Sequence, residues 1–376
     1  MRILQISSAS SFGGGERYLV DLSNALVERG HEVFVALRPD SPLQNQLRVP
    51  SQNIKTLPLR NALDARSAQG LARLVKQNGI EVVHAHMARD YSLAAYAARS
   101  YPKPKFFVTR HVLFPLSRLH RRTLSRATKV IAVSRAVARQ LNEQQIVPNE
   151  KVAVIPNGID VDRFVNACES LDRADLLKAR NLPDDCLLVA SIGELRRLKR
   201  HADLIKAAAI VHRSVDNVHF VIAGVDTSPS GENHKALFDL VEELNLSTRV
   251  HLLGWLDDAE QLLCATDVFV SASETESFGL SIAEAMASGT AVVATRTEGA
   301  QEVVTDQQSG LLVPIGDVEQ LARSIIELLT NTETRKRMAK QAAADARSRF
   351  SLTRMVDGIE KLYLDEVSTT SMSDEL

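Results

Sequence analysis

Residues 271–289 read SASETESFGLSIAEAMASG and hold two glutamates, Glu276 and Glu284, on either side of a Phe278-Gly279 pair. The apolar run DVFVSAS, residues 267–273, is a strand, so Glu274 to Gly279 form the loop at its carboxyl end. A helix begins at Gly279 or Leu280 and ends at Gly289, where a left-handed cap belongs. Its first amides have no intrahelical acceptor, and the helix dipole suits them to a phosphate. Gly279 lets a ligand approach the backbone closely. Glu276 precedes the helix and Glu284 lies about one turn inside it, so both flank the same bound anion. Carboxylates accept hydrogen bonds from hydroxyls. A ribose on one glutamate and a second sugar on the other, joined by a diphosphate, fit the pair. Exposed acids on a solvated helix give the same spacing, so the surrounding sequence decides.

A chain of 376 residues is long for one core, which points to two domains. With 45% hydrophobic and 24% charged residues and a net charge of −1, the chain has a globular balance and no global pull toward polyanions. Cys168, Cys186 and Cys264 show no metal or redox spacing; their odd count fits buried thiols in a reducing compartment better than a disulfide framework. The start, MRILQISSAS, is broken by Gln5 and Ser7 before a signal core forms. No apolar stretch reaches the ~18–20 residues of a spanning helix. These features predict a cytoplasmic chain with at most peripheral contact at the inner face of a membrane.

Strand and helix alternate through both halves. RILQIS, HEVFVAL, EVVHAH, KFFVTR, KVIAVS and VAVIP are strands of the first half, with helices near 16–29, 65–78, 91–100 and 135–142. LLVASIG, HFVIAG, VHLLG, DVFVSAS, AVVAT and GLLVP are strands of the second, alternating with helices near 200–213, 233–244, 258–264, 280–288, 299–304 and 317–330. This is the pattern of parallel sheets covered on both faces. The fold class is α/β, with two doubly wound Rossmann-like domains facing each other across a cleft and ligand at the carboxyl ends of the strands. The rhythm lapses near 166–182, which divides the chain into domains 1–165 and 166–349. The last helices, roughly 333–365, run back over the first domain, within a C-terminal segment of about 350–376 that packs there. The polar tail STTSMSDEL frays.

The stretch from Asp267 to Thr295 resembles the signature of the retaining GT-B glycosyltransferases of family 4, and ESFGLSIAE matches their E-x7-E motif. The resemblance runs through almost the whole chain. It implies sugar transfer from a nucleoside-diphosphate sugar, UDP- or GDP-linked, to a hydroxyl of a glycan or lipid-linked glycan acceptor, as in cell-envelope or exopolysaccharide synthesis. It implies no metal and no further cofactor. Glu276 would position the donor sugar and Glu284 the ribose, with Phe278, Gly279 and Leu280 completing the donor loop.

SFGGGER resembles the family's glycine loop, in which the Gly14 amide approaches the distal phosphate; a plain strand-to-helix turn needs only one glycine. GELRRLKRHADLIKAA, residues 193–208, stands where the family carries Gly-Arg-Leu and then a lysine. Lys199 matches that lysine and would neutralise the departing diphosphate. Glu194 replaces the family arginine, leaving Arg196 or Arg197 as the second cation, with Arg196 preferred. GWLDD, residues 254–258, resembles the loop that meets the nucleobase, through Leu256. Trp255 either stacks on the base or packs beneath the loop. In VIPNGIDVDRF, Asn157 and Gly158 are turn chemistry and Asp160 is structural, so Asp160-Val161-Asp162 is not a metal-binding D-x-D. His84, His86 and His111 end strands and are expected to point at the cleft; the family's histidine at the position of His111 lies near donor sugar and acceptor, and buried packing is the alternative for each.

From Tyr91 to Asn142 there is no Asp or Glu, against eleven cations: Arg99, Lys103, Lys105, Arg110, Arg118, Arg121, Arg122, Arg126, Lys129, Arg135 and Arg139. Val112, Leu113, Phe114, Leu116 and Leu119 lie among them. Such a segment can lie on an anionic membrane, hold a phosphorylated acceptor, or form a solvated face compensated by acids elsewhere. Without aromatic interleaving or a binding module, nucleic acid is not the partner. An epimerase or hydrolase of the same architecture, or a non-catalytic nucleotide-sugar binder, would share the donor site; product analysis with and without acceptor separates them.

Overall fold

The computed structural model describes residues 1–101 and 103–371. In chain order, β1 (Arg2–Ser7), α1 (Gly14–Glu28), β2 (Glu32–Leu37), β3 (Ile54–Thr56), α2 (Ala65–Asn78) and β4 (Val82–Ala85) come first. They are followed by α3 (Tyr91–Ala97), β5 (Lys105–Arg110), α4 (His120–Leu124), β6 (Lys129–Ala132), α5 (Arg135–Glu143) and β7 (Val152–Val154). A second unit begins with α6 (Val161–Glu169) and α7 (Arg173–Ala179). It continues through β8 (Leu187–Ile192), α8 (His201–Val211), β9 (Val218–Ala223), α9 (Glu232–Glu243), β10 (Val250–Gly254), α10 (Ala259–Ala265) and β11 (Val268–Ser271). Then come α11 (Leu280–Ala287), β12 (Ala291–Thr295), α12 (Glu298–Val303), β13 (Leu311–Val313), α13 (Val318–Thr330) and α14 (Thr332–Arg349). The last helix, α15 (Leu352–Ser371), belongs to the first unit.

The first sheet has the order β3-β2-β1-β4-β5-β6-β7 and the second β10-β9-β8-β11-β12-β13, with every pairing parallel. Their strands are near-continuous aliphatic runs because both faces are covered, as in β9, where all six residues are buried. Side-chain caps start the crossover helices at defined points. Asp64, Ser134, Asp160, Thr297 and Asp317 each accept a backbone N–H at the start of a helix. Asp160 is thus an N-cap, which accounts for the first acid of its D-x-D.

The units comprise residues 1–158 with 352–376, and 159–351. The division falls before residue 165 because Ile159, Val161 and Phe164 pack with Phe278, Ile282 and Phe350 in the second unit's core. The rhythm lapses at 166–182 because α6 and α7 follow each other without a strand between them. Of the two terminal helices only α15 covers the first unit. Its Met355, Val356, Ile359 and Tyr363 enter the first core, whereas α14 sends Met338, Ala342 and Ala346 into the second. The tail expected to fray is helical through Ser371, and 372–376 lie outside the described residues.

One cysteine expectation is corrected. Cys168 on α6 and Cys264 on α10 form a disulfide, their Cα atoms 5.1 Å apart. The two helices pack side by side although the cysteines are 96 residues apart in sequence, so spacing carried no signal. Cys186 is a buried free thiol. Among the described residues no helix is long and apolar enough to cross a membrane.

Candidate active site

Each sheet reverses its direction of growth at one place, between β1 and β4 in the first and between β8 and β11 in the second. The loops at the carboxyl ends of those strands border the crevice such sheets use for ligands. Gly13 to Gly15 follow β1, His86 follows β4, the Gly193–Lys199 segment follows β8 and Glu276 follows β11.

In the second unit the two glutamates have different settings. Glu276 is nearly buried, and its Oε1 accepts from Lys199 Nζ at 2.6 Å and from Ser273 Oγ at 2.7 Å. The Glu274 amide donates to the Leu198 carbonyl at 2.8 Å, fastening the lysine turn to the glutamate loop. The stem of Lys199 runs beside Gly193, where an added Cβ would lie 3.5 Å from Lys199 Cε. Glu284 is half-buried on α11, one turn beyond Leu280. Gly279 caps α11 with φ +96°, a left-handed conformation that suits glycine, and offers no side chain to occupy the first-turn amides. Phe278 is 2% exposed and packs edge-on against Phe350 at 5.4 Å, so it supports the loop from within the core.

Arg196 is exposed, with its guanidinium on Glu194 at 3.3 Å. Arg197 is exposed as well. Leu256 is half-buried against the cluster of Leu188 and Leu262. Trp255 is not packed beneath its loop: it is half-exposed, with Nε1 donating to Asp257 at 2.8 Å.

In the first unit, Gly14 opens α1 on the surface behind the capping Gly13. Gly15 faces His111, whose Cγ would lie 3.5 Å from an added Cβ. His111 stacks on His86 with ring centres 5.6 Å apart and packs edge-on against Tyr18 at 4.7 Å. His86 is buried and hydrogen-bonded through Nε2 to Gln5 Oε1 at 2.8 Å. Burial holds His86 well below the usual imidazole range, and the neighbouring His84 and His111 push the same way. Burial, then the Arg110 cation, lowers His111 to about 3, so it is a neutral imidazole at physiological pH.

His84 does not point at the site. It is fully buried, with Nδ1 on the Tyr363 hydroxyl at 2.5 Å and Nε2 on Thr109 Oγ1 at 2.7 Å. Helix α15 covers it, a consequence of tertiary packing that its position at a strand end does not reveal.

Sequence reading missed Ser273, Gly299 and Arg200. Ser273 holds the catalytic candidate Glu276. The Gly299 amide donates to the Glu276 carbonyl at 3.1 Å, and a Cβ on Gly299 would meet that oxygen at 2.5 Å. Arg200 adopts φ +49° directly after Lys199 and bonds Asp203 at 2.6 Å and Glu274 at 3.5 Å. Only Ser273 carried a readable signal, a hydroxyl three residues before the glutamate at a strand end.

Two doubly wound parallel-sheet units of this kind define the GT-B glycosyltransferase fold. The family described as Glycosyl transferases group 1 matches residues 172–345, and Glycosyltransferase Family 4 matches residues 12–163. The lipopolysaccharide core biosynthesis glycosyltransferase LpsE of Rhizobium meliloti is 30% identical over 355 residues, covering 93% of this chain and 95% of that one. The N-acetyl-alpha-D-glucosaminyl L-malate synthase of Bacillus anthracis is 26% identical over 379 residues, covering 96% of each. Among solved structures, Anabaena Alr3699/HepE in complex with UDP-glucose superposes with a TM-score of 0.84 at 23% identity, over 97% of this chain and 100% of that one. The chain belongs to the family 4 glycosyltransferases.

Proposed function

We propose that the protein is a retaining, metal-independent glycosyltransferase that moves a sugar from a nucleoside-diphosphate sugar to a hydroxyl of a glycan or lipid-linked glycan. The observation that carries this reading is the Lys199–Glu276–Ser273 triad beside the glycine-capped start of α11. Lys199 and the α11 amides suit a diphosphate, while the second oxygen of Glu276 is placed for sugar hydroxyls. Glu284 takes the ribose and Leu256 the base. The name of LpsE, and HepE's complex with UDP-glucose, support a UDP-linked donor and an envelope glycan acceptor.

Transfer proceeds on one face of the sugar. The bond from the anomeric carbon to the diphosphate oxygen breaks, a bond to the acceptor oxygen forms, and the acceptor proton passes to the departing phosphate. Lys199 stabilises the negative charge that develops there. His111, neutral, orients the acceptor hydroxyl by hydrogen bonding.

Thermal stabilisation by UDP-, GDP- and ADP-sugars tests the donor site. A ligand at a hundred times its dissociation constant adds ~2.7 kcal/mol to the unit that binds it. A shift with one base names the donor class. Silence across the panel, free nucleotides included, overturns the reading. Turnover unaffected by EDTA, and retention of the anomeric configuration by NMR of the product, test the mechanism.

A further inference from the structure

The eleven cations of the acid-free stretch do not share one environment. Arg110 is buried, with its side chain on the Phe114 carbonyl, and Lys129 reaches Glu366 on α15 at 3.7 Å. Arg118, Arg121 and Arg122 are exposed, and no described carboxylate lies within ion-pair distance of them. They sit on α4 and the loop leading to it.

The anchoring of that segment explains why. Leu116 and Leu124 are buried in the first core, and His120 between them packs edge-on against Tyr91. Leu116, His120 and Leu124 thus face inward, while Arg118, Leu119, Arg121 and Arg122 are exposed. Leu119 is 85% exposed and Phe114 50% exposed. Nearby, the Ser92 hydroxyl donates to the Ala62 carbonyl at 2.6 Å, tying the loop of Leu63 to the start of α3, the helix against which α4 packs. Leu63 is 90% exposed. Single exposed leucines are ordinary, but here Phe114 and Leu119 share one segment with three arginines that have no ion-pair partner among the described residues, and exposed Leu63 lies on a loop tied to the helix beneath.

We propose that this face docks on an anionic lipid surface, with the arginines against headgroups and Leu119, Phe114 and Leu63 entering the interface. A soluble polyanion would use the charges and leave the apolar side chains in water. A lipid surface uses both, and no acid in the stretch opposes it. The same segment leaves β5 at His111, so docking would bring a lipid-linked acceptor beside the proposed acceptor side of the site. That consequence rests on the proposed transfer reaction; the docking itself does not.

Flotation of the full chain with vesicles of phosphatidylcholine alone, or with roughly one third phosphatidylglycerol, tests it without turnover. Binding is expected only to the anionic vesicles and to fall as salt rises. Each basic residue near the surface is worth roughly fivefold in partitioning, so the triple variant R118E/R121E/R122E should bind at least ~100-fold less. Leu119→Gln, which adds no charge, should also weaken binding while leaving the melting temperature unchanged. Equal binding to neutral vesicles, or wild-type binding by the triple variant, overturns the proposal. Insensitivity to Leu119→Gln would mark a charge-only contact with a polyanion, which overturns it too. Vesicle binding with a silent nucleotide-sugar panel would sink the transfer reading and leave the docking face standing.

Discussion

The candidate site residues of the two units are set differently. In the second, Glu276 and Lys199 form a charged contact braced by Ser273 and partly open to solvent. In the first, His84 and His86 are buried beside His111, and all three are held neutral. A charge that must meet a diphosphate or sugar is worth most when its partners are fixed beforehand. A hydroxyl being aligned needs a hydrogen-bond partner without the cost of a buried charge. The difference matches the donor and acceptor sides of the proposed reaction, and it can be broken from either side.

The largest effect is expected at Glu276. Glu276→Ala should lower turnover by roughly 100-fold or more while circular dichroism and melting remain near wild type. Lys199→Met should cost a similar factor and weaken donor binding. A Glu276→Ala enzyme within threefold of wild type would remove the carboxylate from the reaction.

Next come two glycines with opposite expected signs. On Gly299 a Cβ would meet backbone atoms of Glu276 and Phe278 at 2.5 and 2.7 Å, and backbone cannot swing aside. Gly299→Ala should destabilise by about 1–3 kcal/mol, visible as a drop of several degrees in melting temperature. On Gly15 the nearest atom is His111 Cγ at an ordinary 3.5 Å, and Gly15 lies within helix α1. Gly15→Ala should leave stability unchanged or raise it by up to ~1 kcal/mol, read from the melting temperature. Equal losses in both variants would contradict this asymmetry.

Those glycines mark what the sequence could and could not reveal. The strands of both sheets were legible because parallel strands are continuous aliphatic runs, and the Phe278-Gly279 junction was legible because glycine at a helix start has few other uses. Gly299 was not, since its role depends on a loop twenty residues earlier in the chain. His84 read as a site residue because it ends a strand, yet α15, nearly 280 residues later, buries it. The Cys168–Cys264 pairing was hidden for the same reason. Local periodicity reports which residues share a face; it does not report what covers that face.

Acid tests the first unit's histidine cluster by a smaller margin, and in the second unit burial likewise lowers His201 and His219 to about 4. Burial, then His111, lowers His84 to about 3, and His86 moves in the same direction. An unfolded histidine titrates near 6.5, so on acidification the unfolded chain takes up protons first. The stability these groups provide is complete above pH 6.5 and is lost as pH falls from there toward their folded values. Between pH 8 and pH 5 each protected histidine accounts for ~2 kcal/mol of that loss. His84→Gln, which can retain bonds to Tyr363 and Thr109, should flatten the pH dependence of unfolding by that amount. An unchanged slope would mean that His84 is already charged in the folded protein.

The smallest effect is expected at Arg196, and it sharpens the comparison where the sequence departs from its family. Glu194 stands where the resemblance to the family implies an arginine, and Arg196 is a nearby candidate to replace it. Its guanidinium, however, is exposed and bonded to Glu194 itself, whereas Lys199, three residues on, contacts Glu276 directly. Exposed pairs of that kind contribute about 0–1 kcal/mol. Arg196→Ala should therefore change kcat/KM by less than about threefold and melting by under about one degree. A loss of tenfold or more, confined to KM for the donor, would mean that nucleotide binding pulls Arg196 from Glu194 onto the diphosphate. The charge at Lys199 would then be only half of the donor unit's cationic contact.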